Sequence, residues 1–129
     1  WLTCFIIIYS YYLTYFHTYI IMTIVVLLEE RKDTIREVEV DVDTIDICKL
    51  LKGKGTFIGQ WPEIEVVIMK CKESCIDLLH NENVLPPPFD KTDVKGPIVL
   101  VRMDQDAEPR DFTIEEYKQF CQTLHHNIS

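Results

Sequence analysis

Hydrophobic and polar positions divide this chain into two unequal regimes. Residues 1–28 carry no acidic or basic side chain except His17, and then Glu29, Glu30, Arg31, Lys32 and Asp33 arrive together. Around and beyond that junction the pattern becomes short in period. Thr23 to Leu28 is a β-branched and aliphatic run that reads as a buried strand, and Glu29 to Thr34 is a charged turn. Ile35 to Val42 alternates, with Val38, Val40 and Val42 on one face and Glu37, Glu39 and Asp41 on the other. Such alternation predicts a half-buried strand that pairs back on the first as a hairpin.

Asp43 is placed to cap a short helix over Thr44 to Leu51, and Gly53 is placed to end it. Lys54 to Gln60 and Ile64 to Cys71 read as two further strands joined at Trp61-Pro62-Glu63. Within the second, Val66 to Met69 is continuously apolar, which predicts a central strand covered on both faces. Lys72 to Lys95 is the least regular stretch. It has room for one helical turn near Ser74 to Leu79, followed by the run Pro86-Pro87-Pro88, whose fixed φ and missing donors forbid a central strand. Ile98 to Met103 is the last strong strand. After an acidic loop, Thr113 and Glu116 form a capping box, and Ile114, Tyr117, Phe120, Cys121 and Leu124 make the apolar stripe of a closing helix. The order ββαββ, Pro-rich loop, βα predicts one small α+β domain with its helices packed on one mainly antiparallel or mixed sheet.

The apolar front changes the picture of the whole chain. A membrane span needs ~20 largely apolar residues, and Trp1 to Leu28 is long enough. Tyr9, Tyr11, Tyr12, Tyr15 and Tyr19 are nevertheless spread through its middle rather than gathered at two interfaces. No Lys or Arg precedes the run and no small-residue cleavage site follows it, so it does not read as a signal peptide. Ile, Tyr, Phe, Leu, Thr and Ser are what T-rich DNA encodes. The expectation is that residues 1–21 are an apolar extension from upstream in-frame translation, with residues 22–129 as the domain; a single-pass transmembrane anchor is the alternative.

Charge and cysteines narrow the class further. The net charge is -8 and the pI is near 4.9, which lacks the electrostatic footprint of a nucleic-acid binder and suits a basic protein partner. With no secretory signal, Cys48, Cys71, Cys75 and Cys121 are expected as reduced thiols in a cytoplasmic setting.

Several constellations invite chemistry and each has a plainer explanation. Cys71 and Cys75 with His80, His125 and His126 suggest zinc, but the His pair is adjacent rather than spaced for tight ligand pairs. Asp104, Asp106, Glu108 and Glu115 follow a calcium-loop spacing, yet Pro109 stands where that loop requires Gly. Lys52-Gly53-Lys54-Gly55 matches no phosphate-binding pattern and is explained by a helix end and a turn. The reading therefore assigns no catalytic residue, no cofactor and no metal. Trp61, Pro62, Pro86, Pro87, Pro88 and Phe89 remain as an aromatic and proline surface for a protein partner, with a loop packed over the end of the sheet as the plainer alternative. The expected function is a soluble, non-enzymatic protein-interaction module. The alternatives are a membrane-anchored protein with a cytosolic domain and a small enzyme or ligand-binding domain.

Four segments also carry a resemblance: Gly55 to Trp61, Val66 to Lys70, Leu85 to Phe89 and Gly96 to Asp104, the last continuing through Glu108-Pro109-Arg110-Asp111-Phe112-Thr113-Ile114-Glu115-Glu116-Tyr117. Together they resemble an uncharacterised family of small proteins, a domain of unknown function associated with large DNA viruses of algae and with unicellular algae. The resemblance spans roughly Thr23 to Phe120 and includes a start at Met22. More weakly, the order of the segments is similar to another uncharacterised family from phages and bacteria. Neither resemblance implies an activity or a catalytic residue.

Overall fold

The alternating segments pair across one antiparallel sheet. The computed structural model describes residues 22–42, 46–72 and 78–128, with residues 125–128 described by backbone alone. Its strands are β1 (Thr23–Leu28), β2 (Ile35–Val40), β3 (Gly55–Trp61), β4 (Val66–Cys71), β5 (Ile98–Met103) and the short β6 (Pro109–Arg110). The helices are α1 (Asp46–Leu51) and α2 (Ile114–Ile128), and a 3-10 turn, Pro62–Ile64, joins β3 to β4. The order across the sheet is β2-β1-β5-β4-β3, with β6 paired to the end of β5. The α+β domain anticipated from the pattern is thus observed, with the two hairpins β1-β2 and β3-β4 separated by β5.

Local chemistry accounts for the element ends. The β1-β2 turn closes with the N–H of Glu29 on the carbonyl of Thr34 at 2.9 Å, and Asp33 takes the left-handed conformation the turn requires (φ 63°). The capping box forms as expected: Thr113 Oγ1 accepts the Glu116 N–H at 3.2 Å, and Glu116 Oε1 accepts the Thr113 N–H at 3.3 Å. A further carboxylate arrives from β2, where Glu37 Oε1 accepts the Ile114 N–H at 2.8 Å. Negative charge at a helix N-terminus is favourable against the aligned peptide dipoles.

One detail departs from expectation. The helix end takes its left-handed residue at Lys52 (φ 63°) rather than at Gly53, with the Lys52 ammonium paired to Glu30 at 3.1 Å. β1 and β5 are buried on both faces, through Val25 to Leu28 and Ile98 to Val101, and β4 lies inside the sheet between β5 and β3, as expected. In β4, Val66, Ile68 and Cys71 are buried, while Val67 and Met69 are half-buried against the layer that holds α1. An apolar run shows that a strand is covered; its place in the order depends on which distant strand inserts beside it.

The sheet has an apolar layer on each side. Val25, Leu27, Val40, Val99 and Val101 pack with Ile47 and Leu51 of α1. On the other face, Val26, Leu28, Val66, Ile68, Ile98 and Leu100 pack with Trp61, Phe112, Tyr117 and Phe120, and with Leu85 and Phe89 of the Pro-rich loop. Full burial of such a side chain is worth about 1.5–3 kcal/mol, so the long helix and the loop are both held chiefly by this face. Thr23 to Leu28 is a sheet strand, as expected, and among the described residues no helix is long and apolar enough to cross a membrane. The expectations about residues 1–21, Asp43 to Ile45, Ser74 to Asp77 and the side chains of His125 and His126 lie outside the described residues.

Candidate functional site

One row of paired residues across the sheet, Glu37, Val26, Leu100, Ile68 and Gly59, positions the two pieces that cover this face. At one end Glu37 caps α2. At the other, Gly59 leaves room for a ring: a Cβ built there would collide with the end of Phe89. A β-bulge between Phe57 and Gly59 places this glycine beneath the loop. Phe89 in turn stands edge-on to Trp61, with ring centroids 5.9 Å apart. Trp61 also meets Phe120 and Tyr117 of α2, so it joins the loop to the helix.

Trp61 is 1% exposed and donates its indole N–H to the carbonyl of Pro87 at 3.2 Å. This corrects the expected surface at that residue: a bulky aromatic whose one polar atom finds an internal acceptor is better buried than exposed. Pro86 is buried beside it, Phe89 is half-buried, and Pro62, Pro87 and Pro88 are exposed. The loop closes on itself through Phe89 N–H to the Pro86 carbonyl and Thr92 N–H to the Phe89 carbonyl, each 3.1 Å. The peptide Pro87-Pro88 is cis. The structure therefore brings Trp61, Pro86, Pro87 and Phe89 together in one corner, with Trp61, Pro86 and Phe89 facing inward and Pro87 exposed.

The stretch leading into the loop is tied down by two asparagines that the sequence reading passed over. Asn81 Nδ2 donates to the carbonyls of Leu28 at 3.0 Å and Gly96 at 2.9 Å. Asn83 Nδ2 donates to the carbonyls of Glu29 at 2.6 Å and Arg31 at 3.1 Å, and its Oδ1 accepts the Asp33 N–H. Asn side chains that satisfy turn backbone in this way fix a segment lacking a ladder of its own. Val84, directly after the clamp, is 71% exposed.

The grooves beside α2 offer little chemistry. One of about 420 Å³ is lined by Glu63, Ile64, Arg102, Glu116, Phe120 and Leu124. Its Arg102 is committed: Nε donates to the Ile64 carbonyl at 3.1 Å, and a terminal nitrogen donates to the Asp111 carbonyl and to Glu116 at 2.6 Å. The guanidinium also lies 5.0 Å from the centre of the Phe112 ring. Arg102 is thus a tie between β5, the 3-10 turn and α2. A second groove, of about 390 Å³, includes Tyr117 and Cys121. Burial pushes the Cys121 thiol up, only partly offset by its hydrogen bond with Tyr117, so it stays protonated at neutral pH.

The first residues of the calcium-like spacing form a hydrogen-bonded turn. Asp104 Oδ1 accepts the N–H groups of Asp106 at 2.9 Å and Glu108 at 3.0 Å, and Oδ2 accepts Arg110 Nε at 2.9 Å. The backbone bond from Glu108 is the main cause that holds the Asp104 carboxyl below the usual carboxylate range. Among the described residues no group of three or more His, Cys, Asp or Glu is arranged to hold a metal ion. His80 pairs with Asp93 at 2.9 Å on the surface. Cys71 is disulfide-bonded, contrary to the expectation of reduced thiols, whereas Cys48 and Cys121 are free.

The model of a family of unknown function, DUF5880, matches residues 25–120. The chain belongs to the DUF5880 family. The match begins inside β1 and ends inside α2, so the DUF5880 region takes in the sheet from Val25 onward, the Pro-rich loop and the Trp61 corner. No curated protein and no solved structure matches the chain. The DUF5880 match agrees with the resemblance read from the four sequence segments: a family without an assigned activity.

Proposed function

We propose that this domain is a non-enzymatic protein-interaction module whose contact surface is the outer side of the Pro-rich loop. The observation that carries this reading is the combination of exposure above and anchorage below. Val84, Pro87, Pro88 and neighbouring Pro62 face outward, while Trp61, Leu85, Pro86 and Phe89 hold the same segment against the sheet. A surface ordered before it binds loses less conformational freedom on association, so a small apolar patch of this kind yields more net affinity than a mobile one. The net charge of -8 suits a partner with a basic surface around that patch.

The setting we infer is cytoplasmic, on the free thiols of Cys48 and Cys121; the disulfide at Cys71 weighs the other way. The resemblance to small proteins of algal viruses supplies the kind of cell. Affinity capture with the full chain from such cells tests the reading, run beside a Val84→Asp, Pro87→Ser variant checked for unchanged thermal stability. A partner retained by the parent and lost by the variant is expected. Identical partner sets, or none for either, would rule out this surface.

A further inference from the structure

Arg102 ties together the two walls of the groove of about 420 Å³ between the 3-10 turn and α2. Its Nε donates to the Ile64 carbonyl on one wall at 3.1 Å, and a terminal nitrogen donates to the Glu116 carboxylate on the other at 2.6 Å. Pro62 opens the turn with its φ already set for a helical start. The apolar lining is Ile64, Phe120 and Leu124; Phe120 belongs to the core layer below, and the other two pack against it. The groove therefore stands at a fixed width over an apolar floor before anything enters it.

We propose, on the reading of this domain as an interaction module, that the groove receives a segment of a protein partner presenting a large aliphatic side chain flanked by Lys or Arg. Charge makes the choice. Of the residues lining the groove the cation is Arg102, and it is satisfied by Glu116 and two carbonyls. Glu63 is the anion left over. It is exposed, as is Glu65 at the end of the same turn, and among the described residues no cation pairs with either. Lys118 on α2 lines two other grooves and not this one. An apolar floor under an unmatched negative rim complements an apolar side chain with a positive neighbour and repels one with a negative neighbour. A small molecule is a poorer match, because such sites use convergent polar groups, and here Arg102 and Glu116 are turned on each other. Aliphatic burial supplies the affinity and Glu63 the selection, since an exposed ion pair alone contributes little. Glu63 directly follows Pro62, which sets the groove beside the outer side of the Pro-rich loop.

A hexapeptide of the pattern Lys-Leu-Lys-Lys-Leu-Lys, titrated into the isotope-labelled full chain and followed by amide NMR shifts, tests the groove. Saturable shifts are expected at Ile64, Phe120 and Leu124, and they should vanish for the same peptide with Ser for Leu or Glu for Lys. Glu63→Lys turns an exposed attraction into a repulsion and is expected to weaken binding about three- to tenfold. Glu115→Lys makes the same change of net charge at an exposed residue of a different groove and is expected to leave the affinity nearly unchanged. Equal weakening by E63K and E115K would reduce the effect to overall charge and overturn the proposal. Shifts confined to residues 84–89, or none at all, would overturn it too. Shifts at the groove on concentrating the chain without peptide would make a second copy the occupant instead. The module reading fails separately: a partner lost by the Val84→Asp, Pro87→Ser variant, with no peptide held in the groove, would leave that reading standing and strike the groove alone.

Discussion

Trp61 donates its indole N–H to the Pro87 carbonyl at 3.2 Å, joining residues 26 apart in the chain. The bond sits at the centre of an aromatic group in which Phe89, Tyr117 and Phe120 surround the indole. It couples the loop, the end of β3 and α2, so a change at Trp61 should be felt in all three. Trp61→Phe keeps most of the apolar area and removes the donor; the expected loss is about 1 kcal/mol. Trp61→Ala empties the corner as well and should cost about 3–5 kcal/mol. Urea unfolding of the two variants checks the ratio, and equal losses would mean that the bond, rather than the ring, dominates.

Gly59 should be nearly as sensitive as the tryptophan it serves. A methyl group there meets the Phe89 ring, which is held in turn by Trp61 and cannot swing away freely. Gly59→Ala is expected to destabilise by about 1–3 kcal/mol, the usual cost of overpacking. The double variant Gly59→Ala, Phe89→Leu should recover part of that loss. Thermal unfolding of the single and double variants measures the coupling, and simple additivity would refute the contact.

Asn81 Nδ2 donates to two carbonyls, those of Leu28 and Gly96. Replacing it by Ala leaves both acceptors without this partner, a change worth about 1–3 kcal/mol. Amide exchange offers a local readout. The Asn81 and Gly96 N–H groups, bonded to Val94 and Leu79 at 2.7 Å, should lose protection before those of β5.

Asp104 provides the pH dependence. Its carboxyl is held below the usual range, first by the Glu108 N–H and then by Arg110 and the Asp106 N–H. A depressed pKa in the folded state contributes stability above the unfolded value, ~3.9, and that contribution disappears as pH falls through the folded value. Asp104→Asn should therefore flatten part of the acid limb of a stability profile and leave the neutral plateau's slope unchanged. Titration of the Asp104 carboxyl by NMR would show a midpoint under that of an unstructured aspartate; a midpoint above it would contradict the turn geometry.

Much of this architecture was legible residue by residue. The period-two alternation of Val38 and Val40, the Thr113-Glu116 box and the stripe on α2 are local signals, and each appears where the pattern places it. The short β6 and the 3-10 turn at Pro62–Ile64 were not anticipated, since two or three residues leave no period to read. The residues of the candidate surface lie close together, with Trp61 turned inward. Trp61, Pro86, Pro87 and Phe89 do converge, but composition cannot say which side of a loop faces water, and Trp61 faces the core. Phe57, the one exposed aromatic among the described residues, sits inside a strand whose spacing gave no hint of it.

What the sequence determined alone is the five longer strands, the two helices and the break at the three prolines, because backbone hydrogen bonding, capping and side-chain period act over a few residues. Tertiary structure decided that β5 lies between the hairpins, that Glu37 caps a helix 77 residues away, and that Gly59 rather than a larger residue receives Phe89. Those outcomes depend on register between distant segments, where many pairings satisfy the local pattern equally and only the packing of both faces at once selects one. The same reason separates the two edges of the sheet. The absence of charge in β3 is written in the sequence, but its position as an outermost strand belongs to the fold.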